Sequence, residues 1–257
     1  MICKNCEQNI NGSFCSNCGQ KSNTHRINSN YLIEEITNNV LQVNRGIFFT
    51  IKQLAFKPGH NIREFLDGKR KYHFRPLAFV LLASAIYVLT TLFTGEKTIL
   101  GEILSGMIRA ASDNGFEKSL LANTLNWLSN NFGYSTVLLL PFFSFASYIS
   151  FIKRKYNFIE HLIINCFITG QQIIIYLIFV ILVFTFNIDS YYAQIIPFII
   201  ATLYTFWTFI QFFEGKIFIK ILLTIITYIL NIILIAAVVY SCGIIEGINT
   251  TANTVQN

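Results

Sequence analysis

Past residue 75 the chain alternates between long apolar runs and short polar breaks. Five runs carry no charged residue: Pro76–Thr94, Tyr134–Ile152, Leu162–Phe186, Ile195–Phe213 and Ile221–Ile245. The shortest has nineteen residues, close to the twenty or so that a helix needs to cross about 30 Å of hydrocarbon. Each run predicts a membrane-spanning helix. Between the first two runs, residues 95–133 carry two stripes at helical spacing. One comprises Ile99, Leu100, Ile103, Leu104, Met107 and Ile108, the other Leu121, Leu125, Leu128 and Phe132. They predict two amphipathic helices lying on the membrane surface. The short polar tail from Glu246 predicts disorder.

Before residue 76 the pattern is different. Ser29 or Asn30 can cap a helix through about Val43, with Leu32, Ile36, Val40 and Val43 along one side. Ile47–Phe56 then packs Phe48, Phe49, Ile51, Leu54 and Phe56 into ten residues. Too short to cross, it predicts a helix in the interface that extends Lys52 and Lys57 into the headgroups. Pro58-Gly59 ends it, and residues 61–71 predict one more helix before the first span. Residues 21–30 read as a polar linker.

Composition supports a membrane reading. Of 257 residues 53% are hydrophobic and 12% charged, whereas soluble domains carry about 25% charged residues. The fold class expected is an all-α polytopic membrane protein of about five transmembrane helices, with a small N-terminal ribbon. Its regions are 1–20, a linker and juxtamembrane part 21–75, a bundle 76–245 and a tail 246–257. The net charge of +6 bears on sidedness. With the N-terminus inside, the inner side holds sixteen Lys and Arg (eleven through Arg75, then Lys153, Arg154, Lys155, Lys216 and Lys220) and the outer side three: Lys97, Arg109 and Lys118. That asymmetry predicts a cytosolic N-terminus and an external C-terminus.

Cys3, Cys6, Cys15 and Cys18 form two CxxC knuckles. Such pairs suit structural Zn2+, because each tight turn presents two thiolates; a redox dithiol pair, an Fe–S centre or two disulfides are the alternatives. Asn11-Gly12 predicts a hairpin turn between the knuckles. Gly19 follows the second knuckle, where a left-handed residue lets N–H groups reach sulfur, and Glu7 holds the matching place after the first. With Ile10 and Phe14 as its main apolar side chains, so short a unit needs metal to fold. Four thiolates also leave no open position for catalysis. Cys166 and Cys242 read as small buried hydrophobes.

Within the spans, His161, Asn165, Thr169, Gln172 and Tyr176 fall on one helical face. Tyr204, Thr208 and Gln211 form a similar face, as do Thr224, Tyr228 and Asn231. Hydrogen bonding between helices accounts for such faces; a polar cavity between spans three, four and five is the functional alternative. At the basic joint before the first span, His60, Glu64 and Asp67 share a face. They fit an ion-pair network with Arg63 and Lys71, with metal binding as the alternative. Lys69, Arg70, Lys71 and Arg75 are candidates to contact anionic membrane lipids, against ordinary positive-inside anchoring.

A CxNC…FCxxCGQK ribbon, then RGxxxTxxxLxxxPGxxIREFxxGKRxxxxxP, then a span, resembles the bacterial membrane proteins grouped as domain of unknown function 3667. The residues that carry the likeness are Cys3 to Cys6, Phe14 to Lys21, Arg45-Gly46, Thr50, Leu54, Pro58-Gly59, Ile62 to Phe65, Gly68 to Arg70 and Pro76. They cover about the first third of the chain. The resemblance implies a bacterial inner-membrane protein with a cytosolic ribbon, in which the external C-terminus predicted from charge is periplasmic, and it carries over no catalytic residue.

No Ser/His/Asp set, Walker loop or HExxH appears in the sequence, so the expected role is non-enzymatic. It is a membrane-anchored scaffold or regulator whose ribbon docks a cytosolic protein. A transporter or lipid-handling protein is the alternative. Nucleic acid is not an expected partner, since residues 1–26 offer only Lys4, Lys21 and Arg26 against Glu7.

Overall fold

The computed structural model describes residues 1–37, 46–95, 127, 132–186, 188 and 190–255. Eight helices are described: α1 (Ser29–Thr37), α2 (Gly46–Phe56), α3 (Pro58–Asp67), α4 (Pro76–Thr94), α5 (Phe132–Ser150), α6 (Phe158–Phe186), α7 (Ser190–Phe212) and α8 (Ile217–Val255). The surface segment expected over 95–133 lies outside the described residues apart from Gly95, Trp127 and its last two residues. The second half of the helix expected to reach Val43 lies outside them too.

All five apolar runs are helical except for Phe151, Ile152 and Phe213, which fall just past their helix ends. Four helices are long and apolar enough to cross a membrane, over Pro76–Thr94, Phe158–Phe186, Ile195–Phe212 and Ile217–Val238, which fits a membrane protein. The fifth run forms α5, whose described side chains give a shorter apolar helix, Tyr134–Ser150, with Pro141 inside. The helix α8 continues through Val255, past Glu246, where the sequence predicts a disordered tail. No proline follows Pro197, so no residue there removes a backbone donor or clashes with the preceding turn.

Several boundaries follow from local chemistry. Pro58 ends α2 and also opens α3 at its first turn, where a missing N–H costs nothing. For that reason the juxtamembrane helix starts three residues earlier than expected. It closes at Gly68, left-handed at φ 108°. The same Pro-in, Gly-out logic bounds α4, from Pro76 to a left-handed Gly95. The helix α6 begins four residues ahead of its apolar run because Asn157 and Glu160 form a capping box. Glu160 N–H donates to Asn157 Oδ1 at 2.8 Å, and Asn157 N–H donates to Glu160 Oε2 at 2.7 Å.

The largest core cluster is aromatic and lies at one end of the bundle, beneath α2 and α3. It gathers Phe65, Phe74, Phe79, Phe151, Phe167, Phe209, Phe212 and Phe213, together with Ile27, Leu54 and Ile62. Phe151 stacks on Phe213 at 3.9 Å, joining the end of α5 to the end of α7. The start of α8 returns to the same end, where Lys220 reaches Ile210 O. A second cluster, with Val80, Ala83, Tyr87, Leu140, Cys166 and Ile173, joins α4, α5 and α6. The ribbon has its own small centre of Cys3, Cys15 and Ile10.

Candidate metal centre and the polar end of the bundle

The ribbon is built from two closed loops. The backbone bridges are Ile2 with Asn9 and Phe14 with Lys21, so each knuckle pairs across itself, and no described bridge spans Asn11-Gly12. Left-handed residues follow both knuckles, Glu7 at φ 61° and Gly19 at φ 73°. The folding brings the four sulfurs within 4.8 Å of one another. Cys3 and Cys18 Sγ stand 3.6 Å apart, and Cys6 and Cys15 Sγ 3.5 Å. Bonds of about 2.3 Å from one tetrahedral metal would place thiolates about 3.8 Å apart, so the set fits a metal ion. Backbone N–H groups, that of Cys18 first, draw the Cys15 thiol down to about 6, while burial pushes Cys18 up to about 11, so the shifts favour a thiolate at Cys15 and oppose one at Cys18.

The ribbon does not hang from a free linker. Gln20, 4% exposed, grips the loop after α3. Its Nε2 donates to Gly68 O at 2.5 Å, and its Oε1 accepts from the N–H groups of Arg70 and Lys71, both at 3.0 Å. Lys4 Nζ donates to Thr24 O at 2.9 Å. A side chain on Gly68 would meet Lys4 and Thr24 at under 3 Å, so that glycine serves both the helix end and the close approach of the ribbon.

The basic loop therefore has internal partners. Arg70 lies over the rings of Tyr31 and Phe65 at 5.1 and 5.5 Å, and it donates to Phe65 O and His25 O at 3.1 and 2.9 Å. Lys69 pairs with Glu64 at 3.0 Å. Lys71 lies against Gly19, and Arg75 precedes the first turn of α4. His60 and Asp67 are exposed. Among the described residues the four cysteines are the cluster able to share a metal ion, and His60, Glu64 and Asp67 do not assemble one.

The polar faces of the spans are brought together mainly as joints. His161 Nδ1 and Ser147 Oγ are 3.0 Å apart, and Asn165 Nδ2 donates to the same Oγ at 3.0 Å. Gln172 Nε2 donates to Ala201 O and Thr205 Oγ1 at 3.0 and 2.8 Å. Tyr204 OH donates to Leu54 O at 3.1 Å, satisfying a terminal carbonyl of α2. Gln211 Oε1 accepts from Gly59 N–H at 3.2 Å. Thr208 bonds back within its own helix, Thr169 and Asn231 are buried, and Tyr176 packs against the cluster that holds Tyr87.

Three polar contacts had no dedicated reading in the sequence. Arg26 forms a two-pronged pair with Glu160, at 2.8 Å on each oxygen, and holds the linker across the start of α6. The Asn157-x-x-Glu160 spacing was a legible signal for the helix start, but nothing local marks Arg26 as its partner. Glu35 is buried, and its Oε1 accepts from Leu77 N–H at 2.9 Å, at the first turn of α4; burial pushes its carboxyl above the usual range. Arg63, expected in ion pairs along α3, instead reaches the end of α7 through Gln211 O at 2.7 Å and Phe212 O.

Helices of membrane length, capped at one end by three short helices and a four-cysteine ribbon, define the class. Residues 44–88 match the model of a family described as Protein of unknown function (DUF3667). No curated protein and no solved structure matches the chain. The matched stretch is the part that fastens the cap to the bundle. Gly46 lies against the backbone of residues 72–74, and Thr50 Oγ1 accepts from Phe74 N–H at 2.7 Å. Gly59 passes against Gln211 and Phe212; Arg45 lies outside the described residues.

Proposed function

We propose that the protein is a membrane-anchored scaffold or regulator of the bacterial inner membrane, with a cytosolic N-terminus and a periplasmic C-terminus. Its ribbon holds one structural Zn2+ through Cys3, Cys6, Cys15 and Cys18. The observation that carries the reading is the grip of Gln20 on residues 68–71, which supports a metal-built surface held at a set position over the bundle. That surface presents Ile2 and Phe14, 67% and 60% exposed, at matching places in the two loops, and these are the side chains offered to a cytosolic protein. Photo-crosslinkers placed in living cells at positions 2 and 14 of the full chain test it. A discrete protein adduct that disappears in the Cys15→Ser variant is expected. Absence of any adduct, or adducts indifferent to the cysteine, would defeat the docking reading.

A second reading, transport or lipid handling, draws support from buried polar atoms within the bundle that have no hydrogen-bond partner: His161 Nε2, Gln171 Oε1 and Asn231 Nδ2. Such atoms are costly to leave unmade unless water or a solute reaches them. Replacing Asn165 and Gln172 by Leu should abolish a phenotype that depends on a polar path and leave one that depends on the ribbon.

A further inference from the structure

The turn between α7 and α8 gathers three cations from three separate parts of the chain. Lys220, on the first turn of α8 and 7% exposed, donates to Ile210 O at 2.6 Å. Arg63, from α3, donates to Gln211 O at 2.7 Å. Arg154, from the loop between α5 and α6, lies over Gly215, whose β-carbon, if it had one, would stand 3.0 Å from Nη2. Arg63 also donates to Phe212 O and lies over the Phe212 ring at 6.0 Å, so all three cations meet the chain between residues 210 and 215.

The carbonyls at the end of α7 explain only part of this gathering. A helix C-terminus carries about half a negative charge, against three full positive ones. Among the described residues the ion pairs are Arg26 with Glu160 and Lys69 with Glu64, so none of the three cations has a carboxylate partner. Glu160 is taken by Arg26, and the exposed Asp67, four residues past Arg63, and Glu214, beside Gly215, form no ion pair with the three cations. Arg63 Nε is buried and has no hydrogen-bond partner. Like charges gathered around one turn are held together at a cost unless an anion joins them.

We infer that Arg63, Arg154 and Lys220 form a binding site for the phosphate of an anionic phospholipid. The shared chemistry is a phosphate group, which guanidinium forks match with paired N–H donors. The lipid source is favoured by place. The site sits at the end of a helix of membrane length, and the exposed side chains of Phe218 and Leu222 beside Lys220 offer a surface for acyl chains. Basic pockets between spans at the headgroup level are suited to such lipids. The inference needs the helices to lie in a bilayer; it does not depend on the docking role of the ribbon.

The full chain, purified in a mild detergent, should be titrated with phosphatidylglycerol, with phosphatidylcholine and, separately, with inorganic phosphate. Retained lipid is read by native mass spectrometry. Phosphatidylglycerol should be retained and phosphatidylcholine should not. Arg154→Gln should weaken retention about fivefold to tenfold, Arg154→Gln with Lys220→Gln further, and Lys153→Gln, the same charge loss one residue away, very little. Equal losses in Arg154→Gln and Lys153→Gln would reveal diffuse attraction and overturn the site. Equal retention of the two lipids by the unmodified chain would overturn it whether or not a variant folds. Full displacement of lipid by millimolar inorganic phosphate would overturn the lipid assignment.

Discussion

Residues 2–9 and 14–21 are one loop used twice, twelve positions apart. In the first, Cys3 N–H donates to Gln8 O at 2.9 Å and Glu7 N–H to Cys3 O at 2.9 Å; in the second, Cys15 N–H donates to Gln20 O and Gly19 N–H to Cys15 O, both at 2.8 Å. The backbones are thus nearly interchangeable, as the demand for two thiolates per turn requires. The side chains beyond the sulfurs are not. Gln8 is exposed, whereas Gln20 is buried and holds residues 68–71. Both loops have the turn that brings two sulfurs within reach of one metal ion, and one glutamine decides which of them grips residues 68–71.

The largest effect should come from removing what the loops share. With Ile10 as its one buried aliphatic side chain, the ribbon has too little core to fold without metal; structural zinc in small peptides supplies on the order of 10 kcal/mol. Chelation or Cys15→Ser should open residues 1–22 to protease while residues 46–95 stay protected. Cleavage of both segments together would mean that the bundle end depends on the ribbon. Separating the loops comes next. Gln20→Ala removes three hydrogen bonds and should cost roughly 3 kcal/mol, read as earlier thermal unfolding in detergent. Gln8→Ala should stay within about 0.5 kcal/mol. Equal effects would erase the distinction between the loops.

The legible parts of this molecule are those decided within a few residues. The apolar runs, the two CxxC pairs, the left-handed place of Gly19 and the short helix at Ile47–Phe56 all declare themselves locally, and the structure places each of them. What escaped the sequence depends on partners far along the chain. Arg26 finds Glu160, 134 residues away; Gln20 finds Gly68; and Arg63 finds the end of α7 rather than a neighbouring acid. The place of Arg70 over Tyr31 and Phe65 is likewise not legible, because a flat guanidinium can cover an aromatic face that the linear order does not reveal. Pro58 ends α2 as expected but also opens α3 three residues before the expected start, since a proline that stops one helix can start another.

Acid should loosen the seat under the second loop. Burial lowers His73 to about 4; its Nε2 is 2.6 Å from Asn61 Oδ1, and Phe49 and Phe65 meet its ring edge to face. The unfolded chain, near the ordinary value of about 6.5, then binds more protons between those limits. The contribution of His73 is complete above about pH 6.5 and is lost as the pH falls toward 4, on the order of 2 kcal/mol because the ring is partly exposed. Glu35, raised by burial, acts in the opposite sense, so the quantity to measure is the unmodified chain minus His73→Gln. A difference that does not change with pH would mean that the ring titrates as it would in water.

The smallest effect distinguishes the two loops at one atom. Glu7 and Gly19 hold the same left-handed conformation, which costs a side-chain-bearing residue about 1 kcal/mol relative to glycine. Glu7 is exposed and bears only that cost, so Glu7→Gly should slow the loss of metal to a chelator by up to about fivefold. Gly19 has a second constraint, because a β-carbon there would stand 3.1 Å from Lys71 Nζ. Gly19→Ala should therefore speed metal loss and also loosen the hold on residues 68–71, where Glu7→Gly changes only the first. If Gly19→Ala left the protease pattern of residues 46–95 and the thermal midpoint unaltered, the lysine would be yielding freely. The two loops would then differ in Gln20 alone.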